Sequence, residues 1–142
     1  MVHENQRPQK MNFGYNISMK TTEKERLSHV GDMSLAACAI RLVAARAAAG
    51  VSQVDVANAA GIGKTAYSNM ETGRSFPGRA VMKYFFREHR IDFNFLIHGD
   101  FGQLPGDVQE ALFAALPDAN SAWDQRRSSD RDREKSQRGQ LT

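Results

Sequence analysis

The sequence has a single cysteine and no long apolar run. Cys38 can form no disulfide within the chain and no cysteine-rich metal site, and its alanine-rich surroundings favour a buried side chain. No stretch comes near the ~20 apolar residues that a membrane-spanning helix needs, and the start of the chain (MVHENQRPQK) lacks the apolar core of a signal peptide. We therefore expect a soluble, cytoplasmic protein.

Signals for catalysis are equally scarce. The 4 histidines are scattered, no acidic or histidine spacing suits a metal ion, and no nucleophile stands in a pattern with a base. The motif GIGKT at residues 61–65 ends like a phosphate-binding loop, but that loop needs glycine five residues before its Gly-Lys pair, where this chain has Asn58. We predict no enzymatic activity, no catalytic residues, no metal and no cofactor.

The apolar residues and the positive charge are concentrated in the same part of the chain. Residues 34–116 hold most of the Leu, Ile, Val and Phe, while both ends are polar. Residues 34–100 carry 8 basic and 5 acidic side chains, which equals the net charge of +3 for the whole chain. A basic folded segment suits an anionic partner, although an ordinary solvated surface would look the same by charge alone.

Apolar residues recur at steps of three and four, and serine, glycine and proline mark the ends of helices. The predicted helices cover about residues 34–49, 53–60, 63–72, 77–90, 93–98 and 105–117. We divide the chain into a flexible N-terminal arm (1–33), a helical domain (34–99), a further helix (100–117) and a disordered charged tail (118–142). The fold class is all-α, a five-helix bundle with an extra C-terminal helix and disordered tails.

The second and third predicted helices have the spacing of a helix-turn-helix. When Gln53 is counted as the first position of the unit, the fifth is Ala57, a small residue where the two helices would approach closely. The ninth is Gly61, which suits a turn that needs positive φ. Apolar residues fall at the positions that would face the neighbouring helices, and these are Val56, Ala60, Ile62, Tyr67 and Met70.

The outward face of the third predicted helix is polar, as reading the major groove requires. Lys64 and Thr65 come first, because the start of such a helix enters the groove, and Asn69 lies one turn further along. Gln53 and Arg74 are placed to reach phosphates. The candidate DNA-binding residues are Gln53, Gly63, Lys64, Thr65, Ser68, Asn69, Thr72, Arg74 and Arg79.

The stretch SQVDVANAAGIGKTAYSNMETGRSFP (52–77) resembles the Cro/CI-type helix-turn-helix domain of phage repressors and xenobiotic-response-element-type regulators. This resemblance spans about residues 34–99 and implies a five-helix, lambda-repressor-like domain that binds operators as a dimer. It also implies an ion pair between Arg46 and Glu71. The chain departs from the family pattern at Gly63, where a Ser or Thr cap is common, and at His89 and Arg79, which replace apolar residues.

A dimer interface is predicted in the apolar segment that follows the bundle. The candidate residues are Phe93, Leu96, Ile97, Phe101, Leu104 and Leu112. The alternative is that the last helix folds back on its own bundle.

The function expected from this pattern is that of a sequence-specific regulator of transcription, a repressor, that binds double-stranded DNA as a homodimer. Two alternatives remain open at this point. The chain could be the DNA-binding antitoxin of a toxin–antitoxin pair, with its charged tail on the toxin, or a protein-interaction adaptor that kept the fold without DNA affinity.

Overall fold

The computed structural model describes residues 19–141, which form helices and short connections without a strand. The elements in chain order are α1 (Thr21–Ser28), α2 (Leu35–Ala49), α3 (Gln53–Ala60), α4 (Lys64–Glu71), α5 (Arg79–His89), a π-helical turn (Asn94–His98) and α6 (Gly106–Leu141). The predicted all-α class is confirmed. Within this part of the chain no single helix is long and apolar enough to cross a membrane; α2 and α3 reach that composition only together, and they meet at 98°.

The predicted starts and ends of α2 and α3 are confirmed by their caps. The Ser34 hydroxyl accepts a hydrogen bond from the backbone N–H of Ala37, and Ser52 forms a reciprocal capping box with Asp55. Each helix ends at a glycine with positive φ, Gly50 at 70° and Gly61 at 72°. These caps satisfy backbone groups that the short helices would otherwise leave without partners.

Helix α2 lies at the centre of the molecule. It packs along α6 and also contacts α4 and the π-helical turn, and 8 of its 15 residues are buried. A helix that is apolar on all sides is stable only when it is enclosed in this way. The largest apolar side chains that complete the core are Leu42, Val56, Tyr67, Val81, Phe85, Ile91, Phe95, Leu96, Leu112 and Leu116.

One charged residue, Arg41, is fully buried in this core. Its guanidinium donates to the carbonyl oxygens of Ser28 (2.8 Å) and His29 (3.0 Å) at the end of α1, and to those of Leu96 (3.2 Å) and Ile97 (2.7 Å) in the π-helical turn. A further bond goes to the Asp32 carbonyl at 2.7 Å. Positive charge is favourable at the C-terminal ends of helices. Through these hydrogen bonds Arg41 joins two chain segments to α2.

The prediction of a flexible arm over residues 1–33 is wrong for its second half. Residues 21–28 form α1, which packs against α6 and buries Leu27. The sequence gives little sign of this, because α1 has only one large apolar residue and is held by Arg41 through its backbone carbonyls. Residues 1–18 of the predicted arm lie outside the described residues.

The predicted end of the last helix at Pro117 is also wrong, since α6 runs through this proline to Leu141. Pro117 is exposed, and the turns that follow it are held by contacts with the body of the protein. Ala119 is buried, Trp123 packs against the core, and the Asn120 amide donates to the carbonyls of Leu27 (3.1 Å) and Leu116 (2.9 Å). From residue 124 to 140 every side chain is exposed, so the segment predicted as a disordered tail is a helix that projects from the body.

Candidate nucleic-acid interface

Helices α3 and α4 meet at a tight turn. The Gly61 N–H donates to the Asn58 carbonyl at 3.2 Å, and the Ile62 N–H donates to the Ala57 carbonyl at 3.0 Å. Ala57 is 2 % exposed, which leaves no room for a larger side chain at this crossing. The turn therefore fixes the angle between the two helices and directs one face of α4 away from the core.

The outward face of α4 carries the predicted polar residues. Lys64 and Thr65 are exposed, and Ser68 and Asn69 are half-buried. Tyr67, on the side of the helix opposite Thr65 and Asn69, is fully buried. Among residues 19–141 no ion pair involves Lys64, so its charge is available to a partner.

Gly63 occupies the N-cap position of α4 and cannot supply a side-chain cap. Its backbone is extended (φ −72°, ψ 152°), a conformation that any residue adopts, and a Cβ atom placed on it would meet nothing within 4 Å. The glycine is therefore not required by the fold. Its effect is to leave the first N–H groups of α4 open at the surface.

A hydrogen-bonded cluster connects α4 to α2 and α3. Arg46 donates from Nε to Glu71 Oε2 at 2.6 Å and from Nη2 to Oε1 at 3.1 Å, and Gln53 Nε2 donates to the same Oε1 at 2.9 Å. The Arg46–Glu71 pair implied by the family resemblance is present. The side-chain amide of Gln53, which we assigned to a phosphate, is instead engaged with Glu71.

The cluster keeps Glu71 ionised although it is buried. Burial alone would raise the pKa of Glu71, but the hydrogen bonds to its carboxylate and the charge of Arg46 outweigh burial and hold the pKa below its usual value. Burial and the negative charge of Glu71 raise the pKa of Tyr67 well above its usual value. The Tyr67 hydroxyl lies beside this carboxylate, but in the described part of the chain no partner meets it with good hydrogen-bond geometry.

The turn after α4 and the start of α5 carry two further exposed cations, Arg74 and Arg79. The N–H of Arg74 donates to the Asn69 carbonyl at 2.9 Å, and the Thr72 hydroxyl donates to that carbonyl at 3.2 Å. This arrangement uses the Thr72 hydroxyl within the turn and leaves the Arg74 side chain exposed. Arg79, the first residue of α5, is exposed as well.

Three of the six residues predicted for a dimer interface lie in the core of the chain itself. Leu96 and Leu112 are 0 % exposed and Leu104 is 5 % exposed, so they cannot contact a second chain without opening the core. The alternative of a last helix that folds back on its own bundle is correct for these positions. Ile97 and Phe101 are half-buried, and the Phe101 ring packs edge-on against Phe113 at 5.0 Å.

An exposed aromatic pair remains beside this segment. Phe93 is 52 % exposed, and its ring lies 6.1 Å from that of Phe86, which is 54 % exposed. Helix α5 buries Val81 and Phe85 and turns Phe86 outward. Together with Asp92 and Asn94 the two rings line a shallow cavity of about 180 Å³.

Part of this helical arrangement matches a known protein family. Residues 38–87, nearly all of α2 to α5, match a family model described as a helix-turn-helix domain, of the XRE/Cro-like kind. The chain contains a helix-turn-helix domain of this family. Such a domain indicates a DNA-binding regulator. No curated protein and no solved structure matches the chain.

The family departure at His89 has a local explanation. His89 Nε2 lies 2.9 Å from the Tyr84 hydroxyl, one turn earlier on α5, and the two rings pack edge-on. The polar ring in the helix-turn-helix domain thus has a hydrogen-bond partner on its own helix.

Proposed function

We propose that this protein is a sequence-specific regulator that binds double-stranded DNA and reads the major groove with α4. The observation that carries the proposal is the outward face of α4, where Lys64, Thr65 and Asn69 project from a helix held by the buried Arg46–Glu71 pair. Its DNA target places its action in the cytoplasm, at the nucleoid.

The side chains of α4 suit contacts with base edges. Lys64 can donate to guanine O6 and N7, Asn69 can pair with adenine N6 and N7, and Thr65 can contact a thymine methyl group. Ser68 can donate to or accept from either base or backbone. A single domain of this size reads few base pairs, so these contacts supply one half-site.

Phosphate contacts come from the groups around α4. Arg74 and Arg79 are exposed cations that follow the helix. At the start of α3 the capping box uses the N–H groups of Ser52 and Asp55, so the N–H groups of Gln53 and Val54 are the ones offered to a phosphate. The open N–H groups at Gly63 add a further anion contact at the start of α4. These contacts position the protein without reading sequence.

We further propose that the protein binds a palindromic operator as a homodimer and represses transcription by occupying it. The exposed Phe86–Phe93 pair supports this, because two half-exposed aromatic rings in contact are costly on a free surface. Phe93→Glu should convert the dimer to monomers in sedimentation at micromolar concentration. If the wild-type protein sediments only as a monomer, both with and without DNA, the proposed homodimer is wrong.

A selection of bound sequences from a random pool of duplexes tests the function. We expect enrichment of a short inverted repeat whose half-sites are about one helical turn apart. Replacing Arg74 by Gln should weaken binding to enriched and random duplexes alike and lower the salt dependence by about one unit of slope. No enrichment, with equal affinity for every duplex, would count against sequence-specific regulation.

A further inference from the structure

Trp123 of α6 packs on the turn that follows the proposed recognition helix. A Cβ atom placed on Gly73 would lie 2.7 Å from Trp123 Cη2 and 3.3 Å from Cζ3, so the indole ring is in contact with the glycine backbone. The Leu35 carbonyl at the start of α2 lies 3.7 Å from the same point. Gly73 has φ of +77°, and only glycine provides both this conformation and the space for the ring. The C-terminal helix is therefore anchored directly beside Arg74.

The same ring also lies against a cation. The guanidinium carbon of Arg126 lies 4.9 Å from the centre of the Trp123 ring, within the range of a cation–π interaction. Arg126 is exposed, and no carboxylate pairs with it in the described residues, whereas Arg133 on the same helix pairs with Asp130 at 3.4 Å. The Trp123 ring thus contacts both the turn that carries Arg74 and a positive charge that has no carboxylate partner in the described residues.

We propose that Trp123 and Arg126 extend the DNA interface beyond the helix-turn-helix domain. Arg126 contacts a backbone phosphate next to the one that Arg74 contacts, and Trp123 is the positioning residue that holds the cation and the turn together. Both residues lie outside the segment 38–87 that matches the family model. The inference rests on the proposed DNA-binding function, and the phosphate backbone is the anion that a sequence-independent arginine contact fits.

The proposed phosphate contact of Arg126 is tested by comparing Arg126→Gln with the neighbouring variant Arg127→Gln. Both remove one exposed positive charge from α6, but it is Arg126 whose guanidinium lies over the Trp123 ring, and Arg127 is rotated from Arg126 by about 100° around the helix. Binding to a short random-sequence duplex is measured across a salt series. We expect Arg126→Gln to lower the salt dependence by about one unit of slope, while Arg127→Gln stays close to the wild type.

The chain has 1 tryptophan, so fluorescence reports on Trp123 alone. We expect its emission to change when the duplex is titrated in, and less so in Arg126→Gln. Trp123→Ala should lower the slope of the salt dependence by the same amount as Arg126→Gln. The double variant should lower it no more than either single variant. Far-UV circular dichroism checks that each variant keeps its fold.

Two results would overturn the inference, and they separate it from the proposed function. If the wild type binds the duplex and responds to Arg74→Gln, but Arg126→Gln equals Arg127→Gln and the emission is unchanged, α6 takes no part in the interface and the helix-turn-helix proposal stands. If the wild type binds no duplex even at low salt, both proposals fail together.

Discussion

Replacing Glu71 by Gln should both destabilise the fold and change its pH dependence. The carboxylate is 5 % exposed and accepts two hydrogen bonds from Arg46 and one from Gln53. Glutamine preserves the shape and one acceptor oxygen but removes the charge. The change therefore isolates the electrostatic contribution that holds α4 against α2.

The size of the effect follows from the exposure of the two partners. Removing one member of a fully buried ion pair costs about 3–5 kcal/mol. Arg46 is 25 % exposed and keeps its hydrogen bond to the Val51 carbonyl at 3.2 Å, so part of its charge remains solvated in the variant. We expect a loss of about 2 kcal/mol in the free energy of unfolding at neutral pH.

The sign of the pH dependence follows from the lowered pKa of Glu71. A carboxylate whose pKa is lower in the folded than in the unfolded state stabilises the fold above the unfolded value, and this contribution is lost as the pH falls through the folded value. The difference in the free energy of unfolding between wild type and Glu71→Gln should therefore be largest at neutral pH. It should shrink once the pH drops below the usual value of 4.5.

Urea unfolding followed by circular dichroism at several pH values measures this difference, and Glu23→Gln is the matched control. Glu23 accepts two hydrogen bonds from Arg26, at 2.9 and 2.6 Å, but this pair is exposed, so its loss should not change stability measurably. Equal stability of wild type and Glu71→Gln at neutral pH, or a difference that does not vary with pH, would refute the reasoning.

Three other substitutions test the fold around the site. Arg41→Lys should cost about 3 kcal/mol or more in thermal unfolding, because an ammonium group cannot reach the carbonyls of both α1 and the π-helical turn; an unchanged melting temperature would show that these bonds are dispensable. Gly61→Ala should cost about 1 kcal/mol in urea unfolding, since alanine is strained at φ of 72°, and a neutral result would contradict the need for positive φ. Gly63→Ser should instead stabilise the protein by about 0.5–1 kcal/mol, because the site is open and its backbone already suits an N-cap; destabilisation would show that the position cannot accept a side chain.

The helix-turn-helix unit could be predicted because its determinants are local. A small residue at Ala57, a turn at Gly61 and a capping serine at Ser52 each act within a few residues of the chain. Spacing alone then decides which side of α4 faces outward. The choice between a phosphate and Glu71 for the Gln53 amide is not local, because it depends on where a residue 18 positions away comes to lie.

The contacts made by the two ends of the domain could not be predicted in this way. α1 is held by its backbone carbonyls, which carry no sequence signal, and the one available clue was a lone arginine, Arg41, within the otherwise apolar middle of α2. Pro117 predicts the end of a helix, but contacts of Asn120 and Trp123 with distant segments outweigh it. The same folding back of α6 buries Leu112, which the sequence places equally well at a dimer interface.

The most direct test of the account is the affinity of wild type and Asn69→Ala for one selected operator and for versions of it with single base changes. If α4 reads the major groove, the substitution costs about 1–3 kcal/mol on the selected operator and almost nothing once the contacted base pair has been changed. Discrimination at the other positions should stay as it is in the wild type. An equal loss on every sequence, random duplex included, would contradict the assignment of α4 as the reading helix.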